Sequence, residues 1–186
     1  MKNKEESRQR DSHSIEWESL LHAKDLTGWS ENWSCGAWSR QGDSVLGNLR
    51  KDTIAQLKTG NATWSDYEVS VTGTLEEGSN LQILFRVSDD GASYYAFDWG
   101  NVGKVALSRF SPDTERVILS FVDCPIELGR EYHIVVAAHG EVLTTFIDGN
   151  PIHELSNGAY RAGGVGFNMW HRTKVTFKDP RIRHIG

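Results

Sequence analysis

Only two cysteines, Cys35 and Cys124, occur in the 186 residues. Two are too few for a disulfide framework, and they form no metal-ligand spacing. They read as two thiols, with a single Cys35–Cys124 bridge as the alternative in an oxidising compartment. No apolar run reaches the roughly 18 residues that a membrane-spanning helix needs, so no membrane insertion is expected. Residues 1–14 contain no apolar core of a secretory leader. The protein is therefore expected in the cytoplasm, unless the sequence lacks its leader. There is no excess of positive charge. The formal net charge is -5, which argues against a general nucleic-acid partner. Also missing are a zinc-binding H-E-x-x-H, a nucleophile elbow, an EF-hand and any solenoid repeat. Beyond residue 30 no segment shows a convincing 3.6-residue period.

What the chain has is tryptophan, seven in all, and many short alternating segments. Residues 1–14 are polar, balance their charges and read as a disordered tail ahead of one domain over 15–186. The cluster Ile15, Trp17, Leu20, Leu21 is compatible with one short turn of helix. After it the chain reads as strands. In 66–74, Tyr67, Val69 and Val71 alternate with Glu68, Ser70 and Thr72. In 81–87, Leu81, Ile83, Phe85 and Val87 share one face, leaving Gln82, Leu84 and Arg86 on the other. Asp89-Asp90-Gly91 predicts a hairpin into 94–99, and Asp148-Gly149 predicts another. Further strands are expected over 105–110, 117–121, 132–138, 142–147, 164–170 and 174–185, with Pro180 bulging the last. This pattern predicts an all-β, two-sheet antiparallel sandwich.

Four pieces of sequence, in order, resemble the concanavalin A-like lectin/glucanase (laminin-G-like) jelly roll. They are Lys24-Asp25-Leu26-Thr27-Gly28-Trp29 with Trp38 to Leu46; Trp64 to Val69 with Asn80 to Arg86; Tyr132 to Val136 with Phe146 to Gly149; and Gly164 to Asn168 with Val175 to Asp179. Within that group the opening is most similar to the 3-keto-disaccharide hydrolase domain and its carbohydrate-binding relatives. The resemblance implies a jelly roll whose concave sheet carries a sugar site. It departs from the glucanases in having no E-x-D-x-x-E strand to supply nucleophile and acid. It departs from the hydrolases in carrying Tyr94-Tyr95-Ala96-Phe97-Asp98-Trp99, closer to the strand of binding modules.

The candidate ligand-binding residues follow from this. Alternation puts Arg86 and Gln82 on the open face, with Tyr94 and Asp98 on the neighbouring strand. A guanidinium, a carboxylate and an aromatic ring suit sugar hydroxyls and C–H groups. The alternative is an Arg–Asp or Arg–Glu pair on the sheet surface. Asn168 and Trp170 share a face of the 164–170 strand, and Trp33 is the loop tryptophan expected to face a ligand. If the protein is instead a glycoside hydrolase or lyase, Glu68, Asp98 and His171 are its acid/base candidates. The resemblance also admits calcium, with Glu16, Glu18 and Asp179 as available oxygens; otherwise no cofactor is expected. From Arg161 onward six Lys/Arg face one acid, giving +5 and leaving -10 for residues 1–160. This reads as a solvated face paired with the acidic part, or as a patch for an anionic glycan. The leading expectation is a lectin-like module that binds a glycan without covalent chemistry. A hydrolase and a structural interaction module are the alternatives.

Overall fold

The computed structural model describes residues 16–100 and 102–185; the tail expected over 1–14 lies outside them. Among the described residues there is no helix, and none therefore long and apolar enough to cross a membrane. In chain order the strands are β1 (Glu18–Ser19), β2 (Ser30–Asn32), β3 (Trp38–Gln41), β4 (Ser44–Asn48), β5 (Ile54–Thr59), β6 (Tyr67–Glu77), β7 (Asn80–Val87), β8 (Tyr94–Gly100), β9 (Lys104–Ser111), β10 (Glu115–Asp123), β11 (Tyr132–His139), β12 (Val142–Ile147), β13 (Asn150–Ser156), β14 (Gly164–Trp170) and β15 (Lys174–His184). They form two antiparallel sheets. The first runs β13-β12-β11-β6-β15-β4-β3, with β1 beside β15; the second runs β10-β9-β8-β7-β14-β5-β2. The turn of helix expected near Ile15–Leu21 is instead β1, whose Glu18 and Ser19 pair with Ile182 and Arg181. Leu20 and Leu21 behind it are buried in the core, which explains the apolar pair without a helix.

Period-two alternation decides what each sheet buries. On β6, Tyr67, Val69, Val71 and Leu75 point inward while Glu68, Ser70 and Thr72 stay half-exposed. They meet Leu81, Ile83 and Phe85 of β7, Tyr95, Phe97 and Trp99 of β8 and Phe167 of β14 from the second sheet. Phe167 and Phe177 stack between the sheets with centroids 3.9 Å apart. The Asp148-Gly149 turn forms as expected: both residues have positive φ, 49° and 77°, and Ile147 pairs with Asn150 across the β12–β13 hairpin. Pro180 sits where β15 slips register against β6, between Lys178 and Arg181.

Alternation fails at one place that matters. β7 carries a bulge opposite Gly164–Val165, where Phe85 and Val87 pair with consecutive residues and Arg86 is the extra one. Arg86 has a φ of 49°. The bulge reverses the phase, so Val87 joins Leu84, Tyr94 and Ala96 in a small apolar cluster on the outer side of the second sheet. Gly163 makes the close approach at this bulge. A Cβ there would lie 2.4 Å from the Arg86 carbonyl carbon, at a φ of 149°.

Five of the six basic residues from Arg161 onward form ion pairs. Arg161 pairs with Glu141, Arg172 with Asp52, Lys174 with Glu76, Arg181 with Asp179 and Arg183 with Glu68. The reading as a paired, solvated face is the one these contacts support. Cys35 and Cys124 are both free thiols.

One buried titratable group gives the fold a pH dependence. His153 of β13 is 4% exposed, and its Nδ1 lies 2.8 Å from Thr145 Oγ1. Burial pushes the imidazole pKa below its ordinary 6.5. The folded state therefore resists protonation that the unfolded chain accepts. The stabilising contribution is present above pH 6.5 and is lost as pH falls through the depressed folded value. The urea midpoint should be lower at pH 5.5 than at pH 7.5, by less in His153→Gln than in the parent (the pH values bracket the ordinary histidine range of about 6.5). An equal drop in both proteins would remove His153 as the cause.

Candidate functional site

The outer face of the second sheet is unusually polar and unusually buried. Gln56 on β5, Asn80 and Gln82 on β7, Asp98 on β8, Ser108 on β9 and Asn168 on β14 all point away from the core, yet all are buried. Large side chains close over them. Phe110 of β9 and Trp170 of β14 meet edge to face, centroids 6.2 Å apart, although β8 and β7 lie between their strands. Tyr94 stacks on Phe110 at 4.8 Å. At the far edge, Gln56 Nε2 donates to Gly91 O and its Oε1 accepts from Asn32.

Two depressions open on this face, on either side of Trp170. The first, of about 370 Å³, is lined by Asn80, Asp98, Lys104, Arg116, Ile118, Phe121, Trp170 and His171, among others. Its polar centre is an ion pair: Arg116 from β10 reaches Asp98 at 2.9 Å and touches Ser108 Oγ at 3.3 Å. Asn80 donates to the other Asp98 oxygen at 3.0 Å. Asp98 is thus nearly enclosed, while about a third of Arg116 is exposed and free to meet a ligand. The second depression, of about 390 Å³, is lined by Trp33, Ile54, Ala92, Tyr94, Phe110, Ser111, Pro112 and Trp170. Burial, and secondarily the charge of Asp98, push the Tyr94 phenol far above its ordinary value.

Beneath the rings polar groups are left unmatched. Asn168 Nδ2 donates to Gln82 Oε1 at 2.8 Å, but Gln82 Nε2, Asn168 Oδ1 and Trp170 Nε1 have no partner among the described residues. A buried polar group without a partner costs about 1–3 kcal/mol. All three atoms are themselves buried, so an enclosed water is what could complete their hydrogen bonding.

Of the expected ligand residues, Asp98 lines the first depression, Tyr94 and Trp33 the second, and Trp170 both, whereas Gln82 and Asn168 share the face but are fully buried and line neither. Trp33 is 53% exposed and held at a φ of 69°, a strained backbone for a bulky side chain. Arg86 is the exception, because the bulge turns it away. Its side chain is fully enclosed and donates to Ser65 O at 2.9 Å, to Tyr160 O at 2.9 Å and to Asp66 Oδ1 at 3.4 Å. Its backbone N–H donates to Tyr67 Oη, whose own proton goes to the Gly163 or Gly164 carbonyl. Arg86 thus clamps the start of β6 to the 160 loop, and no atom of it reaches either depression.

The acid/base candidates are not brought together. Glu68 lies on the outer side of the other sheet, bound to Arg183. His171 follows Trp170 and lines the first depression, but Asp98 is the only carboxylate among the described residues lining it. The calcium candidates do not converge either. Among the described residues no three His, Cys, Asp or Glu side chains could hold an ion together, and Asp179 is engaged by Arg181. The sequence reading missed Arg116, Asn80 and Phe110. The Ser111-Pro112-Asp113-Thr114 turn held the signal, since it pairs Phe110 with Arg116 and sets both on the outer side.

Comparison with known proteins agrees with this architecture. The chain has the concanavalin A-like jelly roll. It superposes on the carbohydrate binding module CBM66 from Bacillus subtilis with a TM-score of 0.74, at 18% identity, over 84% of this chain and 95% of that one. It superposes on the exoplasmic/lumenal domain of VIP36, bound to Ca2+ and Man3GlcNAc, with a TM-score of 0.67, at 8% identity, over 90% and 87% of the two chains. In sequence it is 27% identical over 138 residues to an extracellular exo-alpha-L-arabinofuranosidase of Streptomyces chartreusis, a match that takes in 69% of this chain and 16% of that protein. No family model matches.

Proposed function

We propose that this protein is a carbohydrate-binding module that holds a glycan on the outer face of its second sheet. The observation that carries the reading is the first depression, where the Asp98–Arg116 pair and the Asn80 amide stand beside the Trp170 ring. Sugars need that combination: fixed donors and acceptors for the hydroxyls, and an aromatic face for the C–H side of the ring. Asp98 fixes the guanidinium, so little freedom is lost when a ligand binds. CBM66 is a carbohydrate binding module and the VIP36 domain holds Man3GlcNAc, both on a similar fold, which supports a glycan as the ligand. The arabinofuranosidase match adds α-L-arabinofuranosyl glycans to those worth testing. A hydrolytic reading needs a second carboxyl facing Asp98, some 5–10 Å away, and none lines the depression among the described residues.

The test is a glycan array that includes arabinofuranosyl, mannosyl and glucosyl chains, followed by calorimetry on the strongest binder. Arg116→Ala should weaken binding at least tenfold, about 1.4 kcal/mol. Arg116→Lys keeps the charge but loses the planar fork, and should recover only part. An array with no bound glycan would overturn the reading, and full binding by Arg116→Ala would remove this site from it.

A further inference from the structure

We propose that the site takes an oligosaccharide rather than a single sugar, with successive units in the two depressions and Trp170 as the wall they share. This rests on the glycan reading above and deepens it. Each depression alone, at about 370 Å³ and 390 Å³, falls within the size range of ligand sites, roughly 300–1,000 Å³. They adjoin through one side chain, because the Trp170 ring lines both.

Their chemistry divides the work. The first holds the fixed charges and the amide, Arg116, Asp98 and Asn80, which select hydroxyl geometry. The second is walled by Trp33, Tyr94, Phe110 and Trp170, with no charged side chain among its lining residues. Rings without fixed charges accept a sugar by its C–H face and discriminate little among hydroxyls. The expected ligand is therefore a glycan of two to four units, recognised at one unit and stacked at the next.

Calorimetry on oligosaccharide ladders of one to four units tests this, using α-1,5-arabinan, β-1,4-mannan, β-1,4-glucan and β-1,4-xylan series. In a ladder that binds, affinity should rise at least tenfold between one unit and three. In Trp33→Ala the three-to-one affinity ratio should fall toward unity. Trp33 is exposed on a loop, so its removal leaves the sandwich core untouched, and Trp33→Tyr should restore most of the ratio. Equal affinity for one and three units would overturn the two-unit site while leaving the glycan reading in force. So would a length effect that Trp33→Ala leaves intact. No binding in any ladder, with no hit on the array, would overturn both.

Discussion

Trp170→Ala should weaken glycan binding by roughly 30- to 150-fold, about 2–3 kcal/mol, the scale of an aromatic hot spot at the centre of a site. The size of the effect follows from position. Trp170 borders both depressions, meets Phe110 edge to face and carries a buried indole N–H with no partner among the described residues. Its removal takes away a stacking surface and opens the buried Gln82–Asn168 pair to water. Trp170→Phe should fall between, keeping a ring face but no donor. Calorimetry on the strongest array glycan measures this, and the backbone amides of β7 and β14 should keep their dispersion in a nitrogen–proton correlation spectrum. Binding by Trp170→Ala within twofold of the parent would sink the site as drawn.

Arg86→Ala should act on stability. The side chain fills an enclosed space and supplies the donors for the carbonyls of Ser65 and Tyr160 and the Asp66 carboxylate. Alanine leaves a cavity and takes the donors from part-buried acceptors, a combination worth about 3–5 kcal/mol. For a chain of this size that lowers Tm on the order of 10 °C. Urea unfolding and calorimetric melting measure it. Arg86→Lys should recover only part, since one ammonium cannot span both carbonyls in the guanidinium's geometry. If Arg86→Ala melted like the parent and lost glycan binding instead, Arg86 would be a ligand contact after all.

These two residues show what the sequence could convey. Trp170 was legible because β14 has no irregularity: Gly166, Asn168 and Trp170 fall on one face by simple counting. The same counting succeeded on β8, separating Tyr94 and Asp98 from Tyr95, Phe97 and Trp99. It failed for Arg86 because Arg86 is the extra residue of a bulge that reverses the phase, and nothing within Leu84-Phe85-Arg86-Val87 announces it; Gly163, which makes the close approach there, lies on a distant segment. Glu68 and Asp98 both face outward, as alternation says, but alternation does not say from which sheet. That depends on β6 pairing with β11 and β15 while β7 pairs with β8 and β14. Arg116 was missed because its partner sits two strands away, and the β9–β10 register shifts between Ile118 and Ser120. The short strands β3 and β4 went unread because each has too few residues for a period to stand out.

The pairing of β1 with the far end of β15 has an architectural consequence. Glu18 lies opposite Ile182, so the first and last described strands run side by side in the sheet that does not carry the depressions. Entry and exit points that close together suit grafting: the unit can be spliced into a surface loop of another protein, or strung between neighbours.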